Sequence, residues 1–392
     1  MKLNNESDNY YIEKLNELIN ESSNIGSLMN IKNVKNMNTN LKEKGCCERL
    51  CELLFCSCCE DKDEEDELDY FHFVGLNNIG NNCYLNAGMQ ILSRCYPLLK
   101  ELLKSDYEKD QLMNLLVRTM KELLFGKEKF YNPNAFIECF CKRNPEFVFG
   151  QQSCSQEFIR TILRNINNTF ERNIIYNKFK PEKNSDELKA YESFINKTKI
   201  FPETKAYSIF SGILKIQING ECPNCNTEIN NYSFNSFVDH ILYLNSISKK
   251  TKFSDLLRKN MVQKNKALIR CPNCNEKIQA NSFSKFVKIP EIFIFTLERF
   301  LVRNRTPIVP DEFINIYEFV DDSSKINNNK CNYELFAVNI RLGDDLSFGH
   351  EICHIKEKNE WFTINDRQSY IKREEYLENS YGLFYRRIKN EQ

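Results

Sequence analysis

Histidine is scarce in this chain: four occur in 392 residues, His72, His240, His350 and His354. Chemistry that needs an imidazole base therefore has few places to find one. Net charge is absent as well, with 54 Lys plus Arg against 54 Asp plus Glu. That balance removes the global field that draws nucleic acid or an anionic membrane surface. No window reaches the roughly 18 apolar residues that a membrane span needs. The opening Met1-Lys2-Leu3-Asn4-Asn5-Glu6-Ser7-Asp8 carries no apolar run of the secretory kind. Cysteine, by contrast, is plentiful at 17. Without a secretion signal these thiols are expected to stay reduced, in cytoplasm or nucleus. They then serve as ligands, nucleophile and core rather than as disulfides.

The length allows one large domain or two ordinary ones, with ample core. Residues 1–70 read as an N-terminal extension, largely disordered, and 71–392 as the folded domain. Residues 1–45 are rich in Asn, Lys, Glu and Ser, with a short helical pattern around Tyr11–Ile19. Six cysteines then crowd Cys46–Cys59. Three readings stand for that segment: an amphipathic helix packing on the domain, a site of reversible acylation that attaches the chain to a membrane, or a metal site. The acidic run Glu60–Asp69 follows as a solvated linker.

Gly75-Leu76-Asn77-Asn78-Ile79-Gly80-Asn81-Asn82-Cys83 is a polar, glycine-punctuated loop that runs into an apolar-periodic segment. Leu85, Met89, Leu92, Cys95, Tyr96 and Leu99 recur at helical steps, which predicts one buried helix face. With Asn81 or Asn82 as N-cap, Cys83 falls in the first turn, where the helix dipole favours a thiolate. A small buried core residue is the competing reading for any one cysteine among so many. Asn78, five residues upstream, offers an amide that could donate to an oxyanion.

Cys222-Pro223-Asn224-Cys225 recurs as Cys271-Pro272-Asn273-Cys274. Two such knuckles supply the four thiolates that Zn²⁺ prefers in a tetrahedron. With every position filled by protein, no site remains for a reactive water. The metal is therefore expected to be structural, and no catalytic cofactor is expected. No basic, aromatic-interleaved stripe accompanies the knuckles, so nucleic acid is not an expected partner.

The stretch from Gly75 through Cys83-Tyr84-Leu85-Asn86-Ala87-Gly88-Met89-Gln90 resembles the cysteine box of the ubiquitin-specific proteases, papain-like thiol hydrolases that cut bonds to the C-terminus of ubiquitin. Further boxes follow in that family's order. Gly150-Gln151-Gln152-Ser153-Cys154-Ser155-Gln156-Glu157-Phe158 resembles the second, a Gln-Gln-Asp-x-x-Glu-Phe element lining the groove for the ubiquitin tail. Its usual aspartate is replaced here, by Cys154 or by Ser153 according to the alignment. The acid expected to meet an arginine of the tail is thus missing. Gln152 and Glu157 are left as substrate-binding candidates. Glu157 also reads as a first-turn carboxylate complementing the helix dipole.

A thiol protease needs a base in reach of its sulfur and a group that orients the base. His350 follows Gly349, and Ala337-Val338 with Gly343 resemble the family's histidine box. Arg341 stands where that box has its first histidine, and Glu351 where it has tyrosine. On a strand, His354 would lie roughly 13 Å from His350, too far to serve the same sulfur. Trp361-Phe362-Thr363-Ile364-Asn365-Asp366 resembles the closing box, in which Asn365 would orient the histidine and Asp366 would assist.

The resemblance spans about residues 73–387. It implies an α+β, papain-like cysteine protease fold with a helical thumb (about 75–200), β-rich zinc-ribbon fingers (about 210–285) and a β-sheet palm. The function it implies is deubiquitination through Cys83, His350 and Asn365, acting on ubiquitin and ubiquitinated proteins. The alternatives are a ubiquitin-binding pseudoenzyme scaffold, or a protease for another ubiquitin-like modifier.

Overall fold

The computed structural model describes residues 6–28, 73–174, 179–181, 185–199, 202–245, 247–261, 265–301, 303–324, 326–343, 349–372 and 377–388. The Cys46–Cys59 segment, the acidic run to Asp69, His72 and the loop 344–348 lie outside the described residues.

The thumb is helical. Helix α2 (Cys83–Ser93) is buried at every position. The periodicity that predicts one helix to Leu99 is in fact shared by two, because α3 (Tyr96–Leu103) restarts with proline in its first turn. Pro97 has no N–H to continue α2, yet it suits the opening of a new helix. After a short turn, α4 (Gln111–Phe125) begins at Asp110, whose carboxylate caps Met113 N at 3.0 Å. A two-stranded parallel pair, β1 (Gly75–Leu76) with β2 (Phe130–Tyr131), leads to α5 (Asn134–Arg143) and α6 (Ser155–Thr169). Phe158, Ile159, Ile162 and Ile166 of α6 join Leu85, Met89, Leu92, Leu99 and Leu116 in one core. Each such side chain is worth about 1.5–3 kcal/mol when buried.

Helix α1 (Glu6–Leu28) extends well beyond the pattern around Tyr11–Ile19 and is docked rather than loose. Leu15 is fully buried in the thumb core. Asp8 accepts from Tyr107 Oη at 3.0 Å and from Lys121 Nζ at 2.6 Å. Part of the N-terminal extension is therefore built into the thumb.

The palm is a sheet ordered β15-β14-β13-β12-β16-β9-β5, with β11 added on β12. Its strands are β5 (Asp239–Tyr243), β9 (Ile292–Glu298), β11 (Phe313–Asn315), β12 (Asn332–Leu342), β13 (His350–Glu357), β14 (Glu360–Asn365), β15 (Gln368–Ile371) and β16 (Ser380–Arg387). Alternation sends Ala337, Cys353, Ile355 and Ile364 toward the thumb core. Val338, Ile340, Ile352 and Leu383 go to a second core. That core also holds Phe253, Leu256 and Leu257 of α9 (Phe253–Met261), which the short pair β6 (Thr251–Lys252) and β10 (Ile308–Val309) flanks. Antiparallel pairing of β13 with β14 sets the start of one beside the end of the other. His350 and Asn365 are thereby brought to the same end of the palm.

The fingers are a four-stranded antiparallel sheet ordered β4-β3-β8-β7, from β3 (Gly212–Glu221), β4 (Glu228–Phe237), β7 (Asn265–Arg270) and β8 (Lys277–Lys288). Helix α7 (Asp186–Thr198) covers part of it through Tyr191, Ile195 and Phe234. The short α8 (Lys205–Ser208) leads in from the thumb. Pro290 sits in the break between β8 and β9, as expected of a residue that cannot donate to a ladder.

Candidate active site

The loop before α2 is held by its own amides. Asn82 Oδ1 accepts from Ile79 N at 2.7 Å, and its Nδ2 donates to Asn86 Oδ1 at 3.0 Å. Asn82 thus precedes the helix without capping it through its side chain. Cys83 is the first residue of α2, where the dipole is most positive. It is 3% exposed.

Three groups meet its sulfur. The backbone N–H of Glu351 donates to Cys83 Sγ at 3.5 Å, and Gln152 Nε2 approaches it at 4.0 Å. The third is His350. Asn365 Oδ1 stands 2.7 Å from His350 Nε2, which leaves the other ring nitrogen for the thiol. The hydrogen bond with Cys83 is the largest influence on the His350 pKa, raising it to about 9 against the desolvation that would lower it. Asn365 and the charge of Asp366 raise it further. His354, whose strand partners are Val338 and Thr363, is buried, and its pKa is pushed down to about 3. It is not at the sulfur.

Asp366 serves the site indirectly. It accepts from Asn78 Nδ2 at 2.9 Å and from Asn86 Nδ2 at 2.7 Å, so it pins the Asn77–Asn82 loop and α2 to the end of β14. The Asn78 amide, read from the sequence as an oxyanion donor, has one N–H in this bond. Gly75 is required here, because a Cβ would lie 2.5 Å from the backbone of Arg367. Asn86 was not singled out in the sequence. Its signal was a buried polar side chain one turn after Cys83, in a helix whose other polar residues are Gln90 and Ser93.

Gln152 lies at the thiol, with its Oε1 accepting from Gly349 N at 3.3 Å. Glu157 lies apart, paired with Arg160 at 2.6 Å; the same guanidinium makes a two-pronged contact with Asp239 at 3.0 and 2.8 Å. The departures from the expected boxes also have defined places. Arg341 and Glu351 form a buried ion pair, each residue 1% exposed.

Far from the thiol, Cys222, Cys225, Cys271 and Cys274 gather their sulfurs within 4.8 Å of one another. The repeated sequence has become repeated geometry. In each knuckle the first cysteine's carbonyl accepts from the residue after the second cysteine, Asn226 or Asn275, at 2.9 Å. Both asparagines take positive φ, 53° and 60°, which Asn tolerates better than most residues. Cys222 and Cys274 sulfurs stand 3.5 Å apart, Cys225 and Cys271 sulfurs 3.6 Å. A tetrahedron of sulfurs about 2.3 Å from a metal has edges of about 3.8 Å. The four residues therefore fit a metal ion.

Residues 74–385 match the family described as ubiquitin carboxyl-terminal hydrolase. Among curated proteins, ubiquitin carboxyl-terminal hydrolase 4 of Arabidopsis thaliana is 25% identical over 334 residues. That similarity covers 79% of this chain and 88% of the relative.

Proposed function

The chain belongs to the ubiquitin carboxyl-terminal hydrolase family, and from that premise we propose that Cys83, His350 and Asn365 are the triad of a deubiquitinating cysteine protease. The mixed helix-and-sheet architecture is that family's papain-like fold, and thiol-dependent hydrolysis is its activity. The observation that carries the triad is the His350 imidazole, held through Nε2 by Asn365 at 2.7 Å, with its other ring nitrogen left for Cys83.

In this mechanism the Cys83 thiolate attacks the carbonyl carbon of the C-terminal glycine of ubiquitin. A C–S bond forms, and the carbonyl π pair moves onto oxygen. The oxyanion is met by the Cys83 backbone N–H and by amides of the loop, with Asn78 among the candidates. Collapse re-forms the carbonyl and breaks the C–N bond, while the His350 imidazolium gives its proton to the leaving amine. Water then attacks the thioester, His350 takes its proton, and the sulfur leaves as thiolate. Asn365 fixes the imidazole tautomer without adding charge. Asp366 supplies that charge from a distance and holds the nucleophile loop.

The four knuckle cysteines would hold Zn²⁺, which would cross-link the β3–β4 and β7–β8 hairpins at the tip of the fingers. A second reading, cleavage of another ubiquitin-like modifier, is favoured by one observation. The second box lacks its acid, and Glu157 is already engaged by Arg160. Hydrolysis of a fluorogenic amide of ubiquitin's C-terminus tests the proposal. Cys83→Ala is expected to lose at least about 10³-fold in rate, whereas a loss under about tenfold would sink it.

A further inference from the structure

Three of the positions at which the expected boxes depart, 153, 341 and 351, meet beside the nucleophile, with Arg341 and Glu351 buried. Arg341 Nη1 donates to Ser153 O at 3.0 Å and pairs with the Glu351 carboxylate. Glu351 accepts from Ser155 N, the first N–H of α6, at 3.2 Å, and from the Ser155 hydroxyl. Asn339 Nδ2 donates to Glu351 Oε2 at 3.2 Å and to Ser155 Oγ at 3.0 Å. A carboxylate at a helix N-terminus is favoured by the dipole, and a buried one is tolerable only when paired and hydrogen-bonded. The cluster therefore clamps residues 153–155 onto β12 and β13. The same Glu351 gives its backbone N–H to the Cys83 sulfur.

What the clamp holds in place is Gln152. Its Oε1 is committed to Gly349 N at 3.3 Å, which turns its NH₂ group toward Cys83 Sγ at 4.0 Å. Gly349 permits this, because a Cβ there would stand 2.7 Å from Leu342 O. An oxygen on the carbon bonded to that sulfur lies within about 3 Å of it, in the region where a donor about 2.7–3.1 Å from an oxyanion must sit.

We propose that Gln152 is a catalytic residue that donates its amide N–H to the tetrahedral oxyanion, and that Arg341 and Glu351 are the positioning residues that keep it at the sulfur. This rests on the reading of Cys83 as nucleophile. No bond to Gln152 is made or broken. The carbonyl pair moves onto oxygen as the C–S bond forms, the amide hydrogen bonds that oxygen, and the pair returns when the C–N bond breaks.

The test is steady-state hydrolysis of a ubiquitin C-terminal amide by Gln152→Ala and Gln152→Glu, beside iodoacetamide alkylation of Cys83. Alkylation forms no oxyanion. The expected result is a fall in kcat of about 10²-fold, with KM within about threefold and alkylation within about twofold of wild type. Glu351→Gln is expected to show the same kcat-specific loss, partly rescued in Glu351→Asp. Adding it to Gln152→Ala is expected to cost little more than Gln152→Ala alone. Should Glu351→Gln fold poorly, the pair Arg341→Met with Glu351→Gln removes both buried charges and carries the same expectation. A rise in KM at unchanged kcat would make Gln152 a tail contact and overturn the proposal. Equal loss of alkylation and hydrolysis would make it structural and overturn it too. Retained hydrolysis in Cys83→Ala would instead strike the nucleophile reading, a separate outcome.

Discussion

At the sulfur, the group whose protonation can be followed with pH is the His350 imidazole. The imidazole pKa is raised from 6.5 to about 9, chiefly by its hydrogen bond with Cys83. A raised histidine favours the charged form in the folded site. Its contribution is complete below about 6.5 and is lost as pH climbs through about 9. The alkaline limb of kcat/KM is therefore expected near pH 9. Asp366→Asn removes a charge that raises this pKa, so its limb is expected to fall to lower pH; a limb that stays in place would contradict the role given to that carboxylate. The meeting of Cys83, His350 and Asn365 was legible in the sequence because each stands in an ordered box and only four histidines compete. The placement of Gln152 at the thiol was not legible, nor was the bridging of Asp366 to Asn78 and Asn86. Those contacts join residues 69, 288 and 280 positions apart, and no local pattern encodes them.

Among the elements, the cysteine knuckles were the most readable, because a repeated Cys-Pro-Asn-Cys closes two similar turns whatever surrounds them. The fingers sheet is only partly buried along β3 and β4, so it has little apolar core of its own. Metal removal by a chelator is accordingly expected to lower Tm by about 5 °C or more and to open 210–285 to proteolysis. An unchanged melt and digest would argue against a structural ion. Helix α2 was readable as a buried face, but its end was misplaced, since periodicity carries across the Pro97 break unaltered. Helix α1 was only partly readable. Its Asn-, Glu- and Ser-rich sequence gives weak helical patterning, and docking against α3 and α4 supplies the rest. Leu15→Ala is expected to cost about 2–4 kcal/mol in urea unfolding. A cost below about 0.5 kcal/mol would mean that α1 is not part of the thumb core.

Across the whole molecule, the proposed catalysis depends on a join between two layers. The thumb brings Cys83 on the first turn of α2 and Gln152 just ahead of α6; the palm brings His350 at the start of β13 and Asn365 at the end of β14. Asp366 and the Arg341–Glu351 pair are among the polar ties across that join. The layer architecture followed from the order of the boxes, whereas the ties depend on how two separately coded layers meet. The triad is tested most directly by the intact mass of the protein after incubation with ubiquitin bearing a C-terminal electrophile, beside Cys83→Ala and His350→Ala. One ubiquitin is expected to add covalently to the wild type, none to Cys83→Ala, and His350→Ala is expected to react at least about tenfold more slowly. An adduct that survives in Cys83→Ala, or a wild type that binds ubiquitin without reacting, would contradict it.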